Sequence, residues 1–140
     1  MDFANLERIV SDERAIIYVR DDEGRYVWVN AKYLADLPVD KDRIIGRTNR
    51  EIYGDQAARG WEIADSLATA TNTFVITPEE LYDRPRRKWR KFLSTKVMIG
   101  IGEQRYLAGI SIELVDDDAV RYEKKLAEFR ARLIEQFGTR

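Results

Sequence analysis

The stretch from Arg105 to Phe137 constrains the fold more than any other part of the chain. It opens as Arg-Tyr-Leu-Ala-Gly-Ile-Ser-Ile-Glu-Leu-Val. Ala108, Ile110, Ile112 and Leu114 fall on one face of that strand, and Leu107, Gly109 and Ser111 on the other. A strand covered on both faces belongs inside a sheet rather than at its edge. The chain then crosses Asp116-Asp117-Asp118, acids suited to a helix N-terminus, and continues as a charged helix to Phe137. A central strand joined almost directly to a long helix can carry a mechanical change out of a domain.

Composition removes several functions. The 140 residues, 44% hydrophobic, suffice for one globular domain with an extension. A net charge of −1 gives no global pull toward nucleic acid or anionic membrane. The chain has no cysteine and no histidine. It therefore lacks disulfides, thiol nucleophiles and the commonest general base and metal ligand, and an enzyme is not expected. No apolar run approaches the roughly 18 residues of a membrane span, and the N-terminus does not resemble a signal peptide. These features predict a cytoplasmic chain without a membrane span, or a cytoplasmic piece of something larger.

The remaining elements follow in order. Residues 2–13 predict a short amphipathic helix with Phe3, Leu6, Ile9 and Val10 on one face. Residues 14–20 and 25–29 predict a hairpin about Asp21-Asp22-Glu23-Gly24, and Asn30 fits a helix N-cap. In that hairpin Ile16, Tyr18, Tyr26 and Trp28 share one face, and Ile17, Val19, Val27 and Val29 the other. Helical turns around Gly46 lead to a helix over 55–70, with Asp55 as its cap. Strands are predicted over 73–81, 88–99 and 105–115, the first at an edge because it contains Pro78. The fold class is α+β: a five-stranded antiparallel sheet with a helical insertion after the first hairpin. The expected division is 1–13 as a capping helix, 14–115 as the domain and 116–140 as a signalling or linker helix.

Four pieces of this pattern, across roughly residues 12–115, resemble the PAS sensory-domain family. They are Ile-Tyr-Val-Arg-Asp-Asp-Glu-Gly-Arg-Tyr-Val-Trp-Val-Asn (17–30), Ile-Ile-Gly-Arg-Thr-Asn-Arg-Glu-Ile-Tyr (44–53), the Ala-Asp-Ser-Leu helix leading into Thr-Phe-Val-Ile-Thr-Pro-Glu-Glu-Leu, and Thr95-Lys96 followed by Leu-Ala-Gly-Ile-Ser-Ile-Glu-Leu. The resemblance implies a ligand pocket between the sheet and the short helices, with 105–115 between the first and fourth strands. It places Tyr18, Tyr26, Trp28, Leu93, Thr95 and Ser111 in that pocket, fit for a small apolar or aromatic ligand, although a plain filled core uses the same residues. Asn49 stands where the light-sensing flavin branch carries its cysteine, which argues against a cysteinyl-flavin adduct. The lack of histidine argues against a histidine-ligated haem.

The resemblance also sets an outer sheet face of Ile17, Val19, Val27, Val29, Phe92, Ala108, Ile110, Ile112 and Leu114. That is too apolar for solvent. A homodimer is expected there, through Phe3, Leu6, Val10, Ile110, Ile112 and Leu114. Ala119, Tyr122, Leu126, Phe129 and Leu133 step by three and four, the spacing of a coiled-coil seam, with a helix folded back on its own domain as the alternative. Glu113 and Asp116, where the family often ends its last strand in Asp-Ile-Thr, mark the signal junction. Arg84, Arg86, Arg87, Lys88, Arg90 and Lys91 are read as a solvated hairpin tip with Trp89 turned into the sheet, not as a nucleic-acid patch. The expected function is a sensory and dimerisation module in signal transduction. It passes a change in ligand or partner to a C-terminal output domain of kinase or cyclic-dinucleotide synthase type. The alternative is a structural protein–protein interaction module with a filled core.

Overall fold

A computed structural model describes residues 3, 5–9, 14–37 and 39–138. Expectations at Val10 and Pro38 lie outside the described residues. The elements are α1 (Asn5–Ile9), β1 (Ala15–Arg20), β2 (Tyr26–Val29), α2 (Ala31–Asp36), a 3-10 turn (Lys41–Arg43), α3 (Asn49–Tyr53), α4 (Asp55–Thr71), β3 (Ile76–Asp83), β4 (Lys88–Ile101), β5 (Gln104–Glu113) and α5 (Ala119–Phe137). The strands form one antiparallel sheet in the order β2-β1-β5-β4-β3. β5 is central, as its two apolar faces predict, and β3 is an edge. Local chemistry sets the boundaries. Asn30 caps α2 by accepting from the Tyr33 amide at 3.0 Å, and Gly24 turns the first hairpin at φ +79°. Asp55 is not the cap of α4; Gly54 holds that position and Asp55 is the first helical residue.

The sheet separates two cores. On the inner side α2, the 3-10 turn, α3 and α4 lie over Ile16, Tyr18, Tyr26, Phe92, Met98 and Leu107. On the outer side Ile17, Val19, Val97, Ile99, Ala108, Ile110 and Ile112 meet Leu6 of α1 and the apolar face of α5. Tyr122, Leu126, Phe129 and Leu133 are each at most 4% exposed, so the expected seam is corrected. These side chains are spent on the chain's own sheet, and Ala119 is exposed. The short turn explains the reversal. Asp118 caps α5 through the Arg121 amide, and Asp116 accepts from the Asp118 amide at 3.0 Å and from Arg121 Nη2 at 2.7 Å. The helix thus turns back across the outer face. Burying four large apolar side chains contributes roughly 1.5–3 kcal/mol each, more than a seam of two heptads standing alone.

The strands carry two further corrections. In β2, Val19 pairs with Trp28 and Arg20 with Tyr26, so a bulge takes up Val27. Trp28 therefore packs with the outer core, while Val29 joins the inner one. In β4, Phe92, Ser94, Lys96 and Met98 take the inner face, which puts Leu93 and Thr95 on the outer face, opposite Ile112 and Ile110. Residues 92–99 are all buried. Apolar residues on both faces leave nothing in the sequence to fix which parity faces inward. Phe3 and Leu114 pack against the outer core as expected.

Candidate functional site: a polar cavity under the sheet

The inner layer borders a half-open cavity of about 60 Å³. Tyr18, Tyr26 and Ser111 line it as the sequence predicts; Trp28, Leu93 and Thr95 do not. Its other walls mix two kinds of side chain: the charged and polar Arg20, Asn49, Asp65, Glu79 and Lys96 with Tyr33, Tyr53 and Trp61, and the apolar Ile16, Leu37, Leu81 and Phe92. One observation explains how Tyr18 reaches across the strands. A Cβ at Gly109 would lie 2.0 Å from the Tyr18 ring. Glycine in the middle of a central strand marks such a close backbone approach.

Four charges meet beside the tyrosines, Arg20 and Lys96 buried and Asp65 and Glu79 half-buried. The Arg20 guanidinium donates twice to Asp65, Nη1 to Oδ2 and Nη2 to Oδ1, both at 2.9 Å. Lys96 donates to Glu79 and lies 3.7 Å from Asp65. Arg20 and Lys96 are 6% and 5% exposed, so each needs its acid: removing one partner of a buried pair costs about 3–5 kcal/mol. Burial opposes the charge on Arg20, yet the hydrogen bonds it donates to Asp65 hold its pKa above the ordinary value. The same guanidinium sits 5.3 and 5.6 Å from the ring centres of Tyr18 and Tyr26. Its Nε–H has no acceptor among the described residues.

The phenols are arranged as a second network. Tyr26 donates to Asn49 Oδ1, the Tyr33 and Tyr53 hydroxyls bond each other, and Tyr53 packs edge-on against Trp61 at 5.1 Å. Burial pushes the Tyr18, Tyr26, Tyr33 and Tyr53 phenols up from the ordinary value; for Tyr18 the Glu79 charge adds to it. They remain neutral donors at physiological pH.

Two connections lead out of this layer. Glu113, at the end of β5, accepts from Arg90 Nε at 2.6 Å and from Nη2 at 2.9 Å. Arg90 is itself buried, 3.4 Å from Asp83 and bonded to the Asp36 carbonyl at the end of α2. The second connection runs through α4, which carries Asp65. Its C-cap Asn72 bonds the Met98 amide at 3.0 Å, and the Asn72 carbonyl accepts from Arg130 of α5 at 2.6 Å.

The sequence reading missed Arg20, Asn49, Asp65, Glu79 and Lys96. Lys96 carried a legible signal, a lone charge inside an apolar strand, and Arg20 shares the parity of Ile16 and Tyr18. Asp65 and Glu79 carried none, because each lies among other charges on its element. Among the described residues no group of acids suits a metal ion, and no helix is long and apolar enough to cross a membrane.

The family described as PAS fold matches residues 11–114, and the chain belongs to it. PAS domains are sensory and signalling modules. Among solved structures, the LOV protein of Rhodobacter sphaeroides is 16% identical, with 99% of this chain and 94% of that one covered at a TM-score of 0.62. The PAS domain of BvgS from Bordetella pertussis is 24% identical over 93% and 96% of the two chains, TM-score 0.56. Cycle PAS-B of Drosophila melanogaster, with bound ethylene glycol, is 9% identical over 71% and 99%, TM-score 0.56. No curated protein matches the chain.

Proposed function

We propose that this PAS domain is a sensor whose inner cavity takes a small polar ligand and whose α5 transmits the result to a C-terminal output domain of kinase or cyclic-dinucleotide synthase type. The observation that carries the reading is the buried Arg20 Nε–H, which has no acceptor among the described residues and lies in the wall beside the neutral Tyr18 phenol. That unpaired donor within a largely apolar wall shifts the expected ligand from a purely apolar or aromatic one to one that also brings a hydrogen-bond acceptor. The space of about 60 Å³ suits a few waters or a molecule the size of a diol or short acid. Pockets for ligands the size of an isoalloxazine ring run to several hundred Å³, which favours a smaller ligand in this reading. Ethylene glycol in Cycle PAS-B is of the size this cavity suits.

Transmission in this reading runs from Asp65 along α4 to Asn72 and Arg130, and in parallel through Arg90 to Glu113. A homodimer belongs to it with the partner copy meeting the α5 side, because α5 already covers the outer sheet face. The complete ion pairing around so small a space favours a second reading, an interaction module with a filled core. One experiment separates them. Backbone and indole NMR shifts are followed while small diols, amides and carboxylates are added, on the natural chain and on Ser111→Leu, which fills the cavity. Saturable shifts at Trp61 and Tyr26 that Ser111→Leu abolishes support the sensor. Absence of saturable shifts supports the filled core.

A further inference from the structure

The β3–β4 hairpin leaves aromatic and basic side chains outside together. Tyr82 and Trp89 pair across the two strands with ring centres 5.3 Å apart. Trp89 is 64% exposed and Tyr82 42%, which corrects the expectation that Trp89 turns into the sheet. The basic run divides in two. Arg86 and Arg90 are tied to Asp83 and hold the hairpin in place. Arg84, Arg87 and Lys88 are exposed and have no acid within ion-pair distance among the described residues. Arg87 moreover stands at φ +53°, a left-handed position where glycine or asparagine is less costly. A charge is kept at the tip at the expense of the backbone.

A groove of about 810 Å³ leads from this tip along the free edge of β3, walled by Val39, Ile52, Trp61, Leu81, Pro85 and Trp89. Arg84 is the basic residue in its wall, at the tip where Arg87 and Lys88 adjoin it, while Glu79 and Glu80 line it further along. We infer that the groove docks a peptide segment of a partner protein, with apolar side chains in the groove and acidic side chains on Arg84, Arg87 and Lys88. A nucleic-acid strand fits the distribution less well. It needs cations along its whole path, would run past the two glutamates, and gains no steering from a chain of net charge −1. Addition of a strand to the β3 edge is also disfavoured, because Pro78 supplies no amide donor. Recognition therefore rests on side chains, with Trp89 as the anchor.

The test is fluorescence anisotropy with a dye-labelled peptide in which a leucine-rich segment is followed by a run of glutamates. The leucine–lysine counterpart and an oligothymidylate serve as comparison probes, all on the full chain. The glutamate peptide is expected to bind, to weaken with added salt, and to lose about tenfold in affinity with Trp89→Ala and with Arg84→Glu/Arg87→Glu. These positions are exposed, and an unchanged circular dichroism spectrum and Tm check that the variants fold. Absence of binding, or equal binding by the variants, overturns the inference. Tighter binding of oligothymidylate assigns the surface to nucleic acid and also overturns it. So does self-association in sedimentation that Trp89→Ala removes, which assigns the surface to a second copy.

Discussion

Single residues hold the cavity open and closed in opposite ways. Gly109 has no room for a methyl group, because the Tyr18 ring occupies the place of a Cβ. Gly109→Ala is expected to push Tyr18 into the cavity and lower stability by about 1–3 kcal/mol, the usual cost of overpacking. Tyr18→Leu in the same chain should recover most of that loss, measured by urea unfolding; a purely additive pair contradicts the clash. Lys96 poses the converse problem. Lys96→Met strands Glu79 and should cost about 3–5 kcal/mol, whereas Lys96→Met/Glu79→Leu should restore most of it, since a buried pair is replaced well by apolar groups. The place of Glu113 at the end of the last strand was legible in the sequence. Its partner was not, because Arg90 is one of six basic residues in a short run and only the parity of β4 brings it under the sheet.

At the scale of elements, the sequence was read correctly wherever one principle acted alone. β5 has two apolar faces and is central; Asn30 caps α2; Pro78 lies on an edge. It was misread wherever two arrangements satisfied the same pattern. β4 is apolar on both faces, so Leu93 and Phe92 competed equally for the cavity, and a bulge in β2 turned Trp28 outward without any glycine to announce it. The steps from Tyr122 to Leu133 fit a seam between two helices and a single helix lying on a sheet equally well. What decides between them is the occupant of the outer face formed by Ile17, Val19, Ile110 and Ile112: the sequence pattern assigns that face to a partner copy, and α5 of the same chain covers it. Leu126, fully buried, gives the check. Leu126→Ala should cost about 2–5 kcal/mol and leave the oligomeric state in sedimentation unchanged. Dissociation of a dimer by this variant would mean that the helix covers a partner's sheet instead.

For the molecule as a whole, the inner layer couples folding to protonation. Tyr18, Tyr26, Tyr33 and Tyr53 all have pKa values raised by burial, while in the unfolded chain a phenol titrates near 10. Below pH ~10 both states hold these protons and the phenols contribute no pH dependence. Above it the unfolded chain releases protons that the folded chain retains, so stability falls as pH rises, by up to about 1.4 kcal/mol per pH unit for each phenol. Four such groups acting together predict a steep alkaline unfolding. Phenolate absorbance from these four of the seven tyrosines should appear in the same transition as the loss of far-ultraviolet circular dichroism. Tyr33→Phe, which removes a titrating group while keeping the ring in place, should shift the midpoint to higher pH, provided its neutral-pH stability is matched by comparison at the same urea-unfolding free energy. Phenolate formation well before the loss of secondary structure would show instead that the tyrosine layer opens to solvent while the sheet stands. The cavity would then be a mobile lid region rather than part of the folding core.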